Sequence, residues 1–212
     1  MPQTLPPPPI SAGEPTPNRK RWTRRDCEFL VNNGLLVGRY ELIDGEIISK
    51  MGQNAPHSFV INRFNGRLIR LFGEDFVRIQ SPIDVADADR NTNDPEPDAA
   101  VTRGPATDYA VRQPGPQDVL LVVEVADTTL RYDTTTKAAL YARAGIPDYW
   151  VVDVNGRRLL MHRSPQNGVY QSVVEYAEGE SVAPLENVQA SVMVGDLLPP
   201  VSVQNSEGGA SM

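Results

Sequence analysis

The chain has 212 residues, 40% of them hydrophobic and 22% charged, with a formal net charge of −7. This is the length and balance of an ordinary globular domain able to bury a core, and the acidic excess argues against a protein that grips nucleic acid through many phosphate contacts alone. One cysteine, Cys27, excludes an internal disulfide framework and a multi-cysteine zinc site, and no apolar run approaches the ~20 residues of a membrane span, so a cytoplasmic protein with no membrane partner is expected.

Residues 1–18 are Pro-rich and nearly free of large apolar side chains, which predicts a disordered or extended tail without a signal-peptide core. A folded domain is expected over 19–201 and a flexible Ser/Gly-rich tail over 202–212. The segment RKRWTRR places Arg19, Lys20, Arg21, Arg24 and Arg25 around Trp22. It reads either as a basic arm with one stacking ring or as a solvated helix start. The second reading is preferred, because charge runs are usually exposed faces. Thr23 is a suitable N-cap and Asn33-Gly34 a suitable stop for a helix over 24–32.

YELIDGEIISK, residues 40–50, is two β-rich halves around Asp44-Gly45, the strongest short hairpin signal. A two-residue loop pairs Ile43 with Glu46, and taken alone Glu46 reads as a surface carboxylate. Apolar residues at helical spacing over 56–72, with Arg63, Arg67 and Arg70 on the other side, predict a second helix. His57 stands at its start, where most histidines are structural or exposed.

Strands are expected at 76–80, 83–85 and 98–102, with a polar loop over 86–95 and a Gly/Pro-rich connection over 103–117. The run 119–126 is a buried strand with Glu124 inside it. A buried carboxylate must be met by a metal, a cation or a proton. A helix over 134–144 follows, with Asp133 as N-cap and Gly145 as stop. A strand over 149–154 and an antiparallel pair around Asn167-Gly168 complete the order, with His162 in that pair as a structural residue. The order predicts a mixed α/β or α+β domain: a mixed central sheet flanked by helices.

Lys137 sharpens the case for a site. With Asp133 as cap it lies in the first helical turn, where the macrodipole disfavours a cation. It also shares an inward stripe with Leu140, Tyr141 and Ala144. Such a lysine needs a negative partner, and Glu124 on the preceding strand supplies one. One reading is a buried ion pair that fixes register without chemistry. The other adds Asp98 from a neighbouring strand, so that two carboxylates and a main-chain carbonyl hold Mg²⁺ or Mn²⁺, and Lys137 orients a metal-bound water or stabilises charge building on a phosphoryl group.

YELIDGEI, then His57, then PEPDAAV, then VVEVADTTLRYDTTTKAALYARAGIPDYWVVD resembles the Uma-type family of restriction-endonuclease-like proteins, within the PD-(D/E)XK nuclease superfamily. The match spans roughly 22–176. The resemblance implies a restriction-endonuclease-like fold and metal-dependent hydrolysis of DNA phosphodiester bonds. Pro97-Asp98 matches the family's PD. Glu124 matches the acidic member of (D/E)XK, with Val125 as X and its carbonyl as a third metal ligand. Lys137 matches a lysine displaced onto the next helix, and Glu46 a further acidic residue near the site. The family commonly has Ser-Pro where this chain has Asp127-Thr128, and Asp127 is read as a turn former.

The expectation is thus a Mg²⁺- or Mn²⁺-dependent DNA endonuclease with Glu46, Asp98, Glu124 and Lys137 as catalytic residues and Asp98, Glu124 and Val125 at the metal. A homodimer would bring two such sites to two strands. Two rivals stand beside it: a catalytically inert nucleic-acid-binding or interaction module on the same fold, and a hydrolase of small phosphate esters.

Overall fold

A computed structural model of the chain describes residues 20–200, Met51 and Gln53 excepted; the tails expected at 1–18 and 202–212, and Arg19, lie outside the described residues. Thr23 caps α1 (Arg24–Asn32) reciprocally. The Asp26 N–H donates to Thr23 Oγ1 (3.1 Å) and the Thr23 N–H to Asp26 Oδ2 (2.9 Å). Arg21 donates twice to the Asp44 carbonyl (3.0 and 2.7 Å), and Arg24 pairs with Asp84 at 2.7 Å. Both arginines tie the start of α1 to the rest of the domain through intramolecular contacts.

The hairpin forms as expected from β1 (Tyr40–Ile43) and β2 (Glu46–Ser49), with Ile43 opposite Glu46. Asp44 (φ 47°) and Gly45 (φ 77°) both turn left-handed, as a two-residue hairpin loop demands. Helix α2 (Ala55–Phe72) begins where the Asn54 side chain accepts the His57 N–H at 3.0 Å, and it buries Val60, Ile61, Phe64 and Leu68.

Six strands form the main sheet in the spatial order β3 (Val77–Ile79), β4 (Ala99–Thr102), β5 (Val119–Ala126), β6 (Asp148–Asp153), β7 (Arg158–Gln166) and β8 (Val169–Ala177). Every neighbouring pair is antiparallel except β5–β6. A parallel pair needs a long crossover, and the helical segment between β5 and β6 provides it. Two short strands, β9 (Ser181–Val182) and β10 (Val192–Met193), pair separately. The mixed α+β architecture expected from the element order is the one observed. No helix among the described residues is long and apolar enough to cross a membrane.

Two expected elements differ. Residues 83–85 are not a strand: Ile83 N–H donates to the Pro95 carbonyl (3.1 Å) and Asp84 N–H to that of Pro114 (2.9 Å). Ile83 and Val85 are buried all the same, so the apolar alternation reported burial while loop carbonyls took the backbone bonds. The helix after β5 starts earlier than expected, as α3 (Leu130–Tyr132), a π-helical turn (Asp133–Lys137) and α4 (Ala138–Arg143). Asp133 is therefore not an N-cap. Its carboxylate accepts the Thr129 hydroxyl at 2.5 Å. The Thr134 and Thr135 hydroxyls donate to the carbonyls of Leu130 (2.7 Å) and Arg131 (2.6 Å), an i−4 back-bonding that suits a turn opened out of α geometry.

The core divides across the sheet by residue parity. Leu121, Val123 and Val125 of β5 pack with α2 and the C-terminal segment, whereas Val122 and Ala126 pack with Tyr141, Ile146 and Tyr149. Glu124 belongs by alternation to the second face, under the crossover helix.

Candidate active site

Strand register brings the two predicted carboxylates together. Ala99 lies opposite Val123, so Asp98, one residue before β4, falls beside Glu124 on the same face of the sheet. The Val125 N–H donates to Asp98 Oδ2 at 2.8 Å. Lys137 reaches the same place from the π-helical turn. Its Nζ donates to Glu124 Oε1 at 2.9 Å, and Tyr141 OH, one helical turn on, donates to that oxygen at 2.8 Å. Glu124, Lys137 and Asp98 retain 3%, 4% and 5% exposure. Lys137 is not in a first helical turn, so its need for an anion comes from burial rather than from the macrodipole.

A second carboxylate meets Lys137 from the other side. Glu41 on β1 accepts the ammonium on Oε1 (3.0 Å), and its Oε2 lies 2.9 Å from Nζ. Glu41 Oε1 also accepts the Glu96 N–H (2.8 Å) and stands 3.8 Å from Lys50 Nζ, which donates to the Glu96 carbonyl. Glu46, by contrast, is exposed at the hairpin tip and does not line the cavity. The structure places Glu46 on the expected hairpin face but at the end away from Lys137, with Glu41 at the nearer end. Glu41, Ile43 and Glu46 share that face through register and alternation, but Glu41 lies two residues further from the loop, about 7 Å along the strand. The missed signal was an acidic residue at an inward position, two before the buried Ile43.

His57, which the sequence alone left as a structural histidine, borders the site. Its Nε2 is 3.3 Å from Asp98 Oδ2, and its Nδ1 is buried with no hydrogen-bond partner among the described residues. Asp127 stays a turn former: Asn54 donates to Oδ2, and Asn155 donates to Oδ1 (3.0 Å) and to the main-chain oxygen (2.6 Å). These bonds join the β5 exit to the start of α2 and to the β6–β7 turn.

A cavity of about 680 Å³ opens over the cluster, and five carboxylates line it against three cations, Arg39, Lys50 and Lys137. Burial, with that imbalance beside it, sets the titrations. Burial pushes the Glu124 carboxyl up to about 8; Lys137 opposes this, and Glu41, Asp98 and Asp133 add to it. Burial also pushes on Asp98, but the His57 hydrogen bond, the charges of Lys50 and His57 and the Val125 N–H outweigh it and hold the carboxyl below its ordinary value. Burial works against the Lys137 charge, yet Glu124, Glu41 and Asp133 hold it well above the ordinary lysine value. Lys137 is thus an ammonium that can stabilise negative charge, not a base that can take a proton.

A family model described as Uma2, putative restriction endonuclease, matches residues 37–193. Among solved structures, the chain is similar to the crystal structure of a putative nuclease belonging to DUF820 from Anabaena variabilis ATCC 29413. The TM-score is 0.59 at 14% identity, over 79% of this chain and 96% of that one. At that identity the likeness bears on the fold. No curated protein matches the chain.

Proposed function

The chain belongs to the Uma2 family, and we propose from this premise that it hydrolyses DNA phosphodiester bonds at the Asp98–Glu124–Lys137 site with the help of a divalent cation. The observation that carries the reading is the meeting of Asp98 and Glu124 on one sheet face, at the floor of a cavity, with the Lys137 ammonium 2.9 Å from Glu124. A pair of carboxylates from adjacent strands with an ammonium beside one of them is what phosphoryl chemistry uses.

The donor set suits a hard cation such as Mg²⁺ or Mn²⁺. Glu124 takes both of its hydrogen bonds on Oε1, and the close contacts of Asp98 fall on Oδ2. Glu124 Oε2 and Asp98 Oδ1, the latter met by the Gln80 amide at 3.5 Å, would serve a ligand together with the Val125 carbonyl. Among the described residues no group of three or more His, Cys, Asp or Glu side chains is arranged to cage a metal. A metal here would rest on two carboxylates, a carbonyl and water, the mode in which Mg²⁺ is commonly held. It would supply Lewis-acid polarisation of the phosphoryl oxygens and acidify a bound water.

The chain's own residues do the rest. Tyr141 and Lys137 fix the rotamer of Glu124, and the Val125 N–H and His57 fix that of Asp98. Glu41 holds Lys137 charged and in place, so that its ammonium offsets the charge gathering on the phosphoryl oxygens. Glu46 has no part in this mechanism.

The test is nicking of supercoiled plasmid with Mn²⁺ by wild type and by Glu124→Gln. Wild-type nicking that the variant loses is expected; equal, negligible nicking by both would end the proposal. The small cavity and the acidic net charge favour one rival, hydrolysis of small phosphate esters. Turnover of a phosphodiester dye without action on DNA would select it.

A further inference from the structure

The chain's cations are mostly spent on its own carboxylates and carbonyls. Of its 20 lysines and arginines, all but Arg19 lie among the described residues. On α2, Arg63 donates to the Asp196 carbonyl (2.9 Å) and Arg67 pairs with the Asp196 carboxylate (2.8 Å). Arg143 is held by Asp89 (2.8 Å) and Asp44 (3.3 Å). At the cavity Arg39 pairs with Glu96, and Lys50 stands 3.8 Å from both Glu96 and Glu41. A protein that holds duplex DNA commonly meets about 6–10 phosphates with as many cations. Among the described residues, Arg39 and Lys50 line the cavity above the buried Lys137, and exposed Arg131 adjoins the wall residue Tyr132.

Depth points the same way. Asp98, Glu124 and Lys137 are almost wholly buried, beneath a cavity of about 680 Å³. That volume is within the range of sites for small molecules, and so for one or two nucleotides. A duplex carries its phosphates on a stiff rod with a persistence length of about 150 base pairs. Such a rod cannot lower one phosphodiester into a recess without unstacking, whereas an unpaired strand can bend in.

Building on the nuclease reading, we infer that the substrate is an unpaired DNA strand, such as a flap, a gap or a free end, that enters the cavity with two or three phosphates held by protein cations. The full chain with Mn²⁺ is given labelled oligonucleotides of one sequence as single strand, blunt duplex and flapped duplex, together with a single-stranded RNA of that sequence. Affinity of Glu124→Gln for the single strand is followed by anisotropy across a salt series. Single strand and flap should be cut at least about tenfold faster than blunt duplex, and log affinity should fall against log salt with a slope of about −2. Duplex cut as fast as single strand, RNA cut in preference to DNA, or a slope steeper than about −5 would overturn the inference while leaving the nuclease reading standing. Absence of cleavage on every substrate would remove both.

Discussion

Glu124 and Asp148 are both carboxylates buried in the paired strands β5 and β6, and their surroundings differ in one respect. Asp148 is fully enclosed and satisfied: Trp150 Nε1 (2.8 Å), Arg163 Nε (2.8 Å) and Nη2 (3.0 Å), and the Leu185 N–H (2.8 Å) all donate to it. Glu124 takes its bonds on one oxygen, shares its lysine with Glu41, and borders a cavity in which negative charge is in excess. Burial of a charge therefore does not mark a site. Spare ligand capacity facing a cavity does, because a satisfied carboxylate has nothing left to offer a substrate or a cation.

The sharpest way to break this contrast is to remove each carboxylate in turn. Glu124→Gln and Asp98→Asn should each lower nicking by roughly 10³-fold or more with the fold intact, measured as rate per folded molecule. Asp148→Ala should instead lower unfolding free energy by about 2–5 kcal/mol, since it leaves the Trp150 and Leu185 N–H groups and a half-buried guanidinium without their acceptor. Its rate per folded molecule should match wild type. An Asp148 variant of normal urea stability that has lost nicking would erase the distinction.

Glu41→Gln leaves Lys137 with Glu124 as its one ion-pair partner within 4 Å, and a loss of about 10–100-fold in rate is expected. Glu46→Gln, on the same hairpin face but at the exposed tip, should leave the rate unchanged and alter stability by no more than about 0.5 kcal/mol. The reverse ranking would return the acidic partner to the hairpin tip.

A smaller effect is expected in the pH dependence of the metal-free protein. The Glu124 carboxyl is raised from 4.5 to about 8, so across that window the folded chain keeps a proton that the unfolded chain has released. Its contribution to stability is complete below pH 4.5 and is lost as pH rises through about 8. Asp98, held low, contributes in the opposite sense, and that part is lost only as pH falls below its ordinary 3.8. Urea midpoints of wild type relative to Glu124→Gln should thus decline from pH 4.5 to 8. A flat difference would mean that Lys137 alone neutralises Glu124.

Local chemistry made much of this molecule legible in advance. Thr23 and Asn33-Gly34 bounded α1, Asp44-Gly45 set the hairpin register, and the valine-rich run bounded β5 at both ends. Each is decided by neighbours within a few residues, by capping, left-handed turn geometry or β-branched packing. The Lys137–Glu124 contact was readable for a related reason: a short connection returns a helix to its own strand, and an inward lysine has few anions within reach. Where the reading failed, the deciding partners were remote in sequence. Residues 83–85 carry an apolar alternation, yet their backbone partners are Pro95 and Pro114. The threonines at 134–135 opened a π turn that no period in the sequence announces.

The sequence by itself determined which residues could carry charge into the interior, because an acid inside a valine run and a lysine on an apolar helix stripe are costly wherever the chain goes. Only the tertiary structure decided which of them meet. Glu41 and Glu46 sit on one hairpin face, and the docking of that hairpin against residues 93–96 and the π turn puts one over Lys137 and the other at the exposed tip. His57 and Asp98 are 41 positions apart in sequence and 3.3 Å apart in space, a distance set by how α2 packs across β4 and β5 rather than by any local preference.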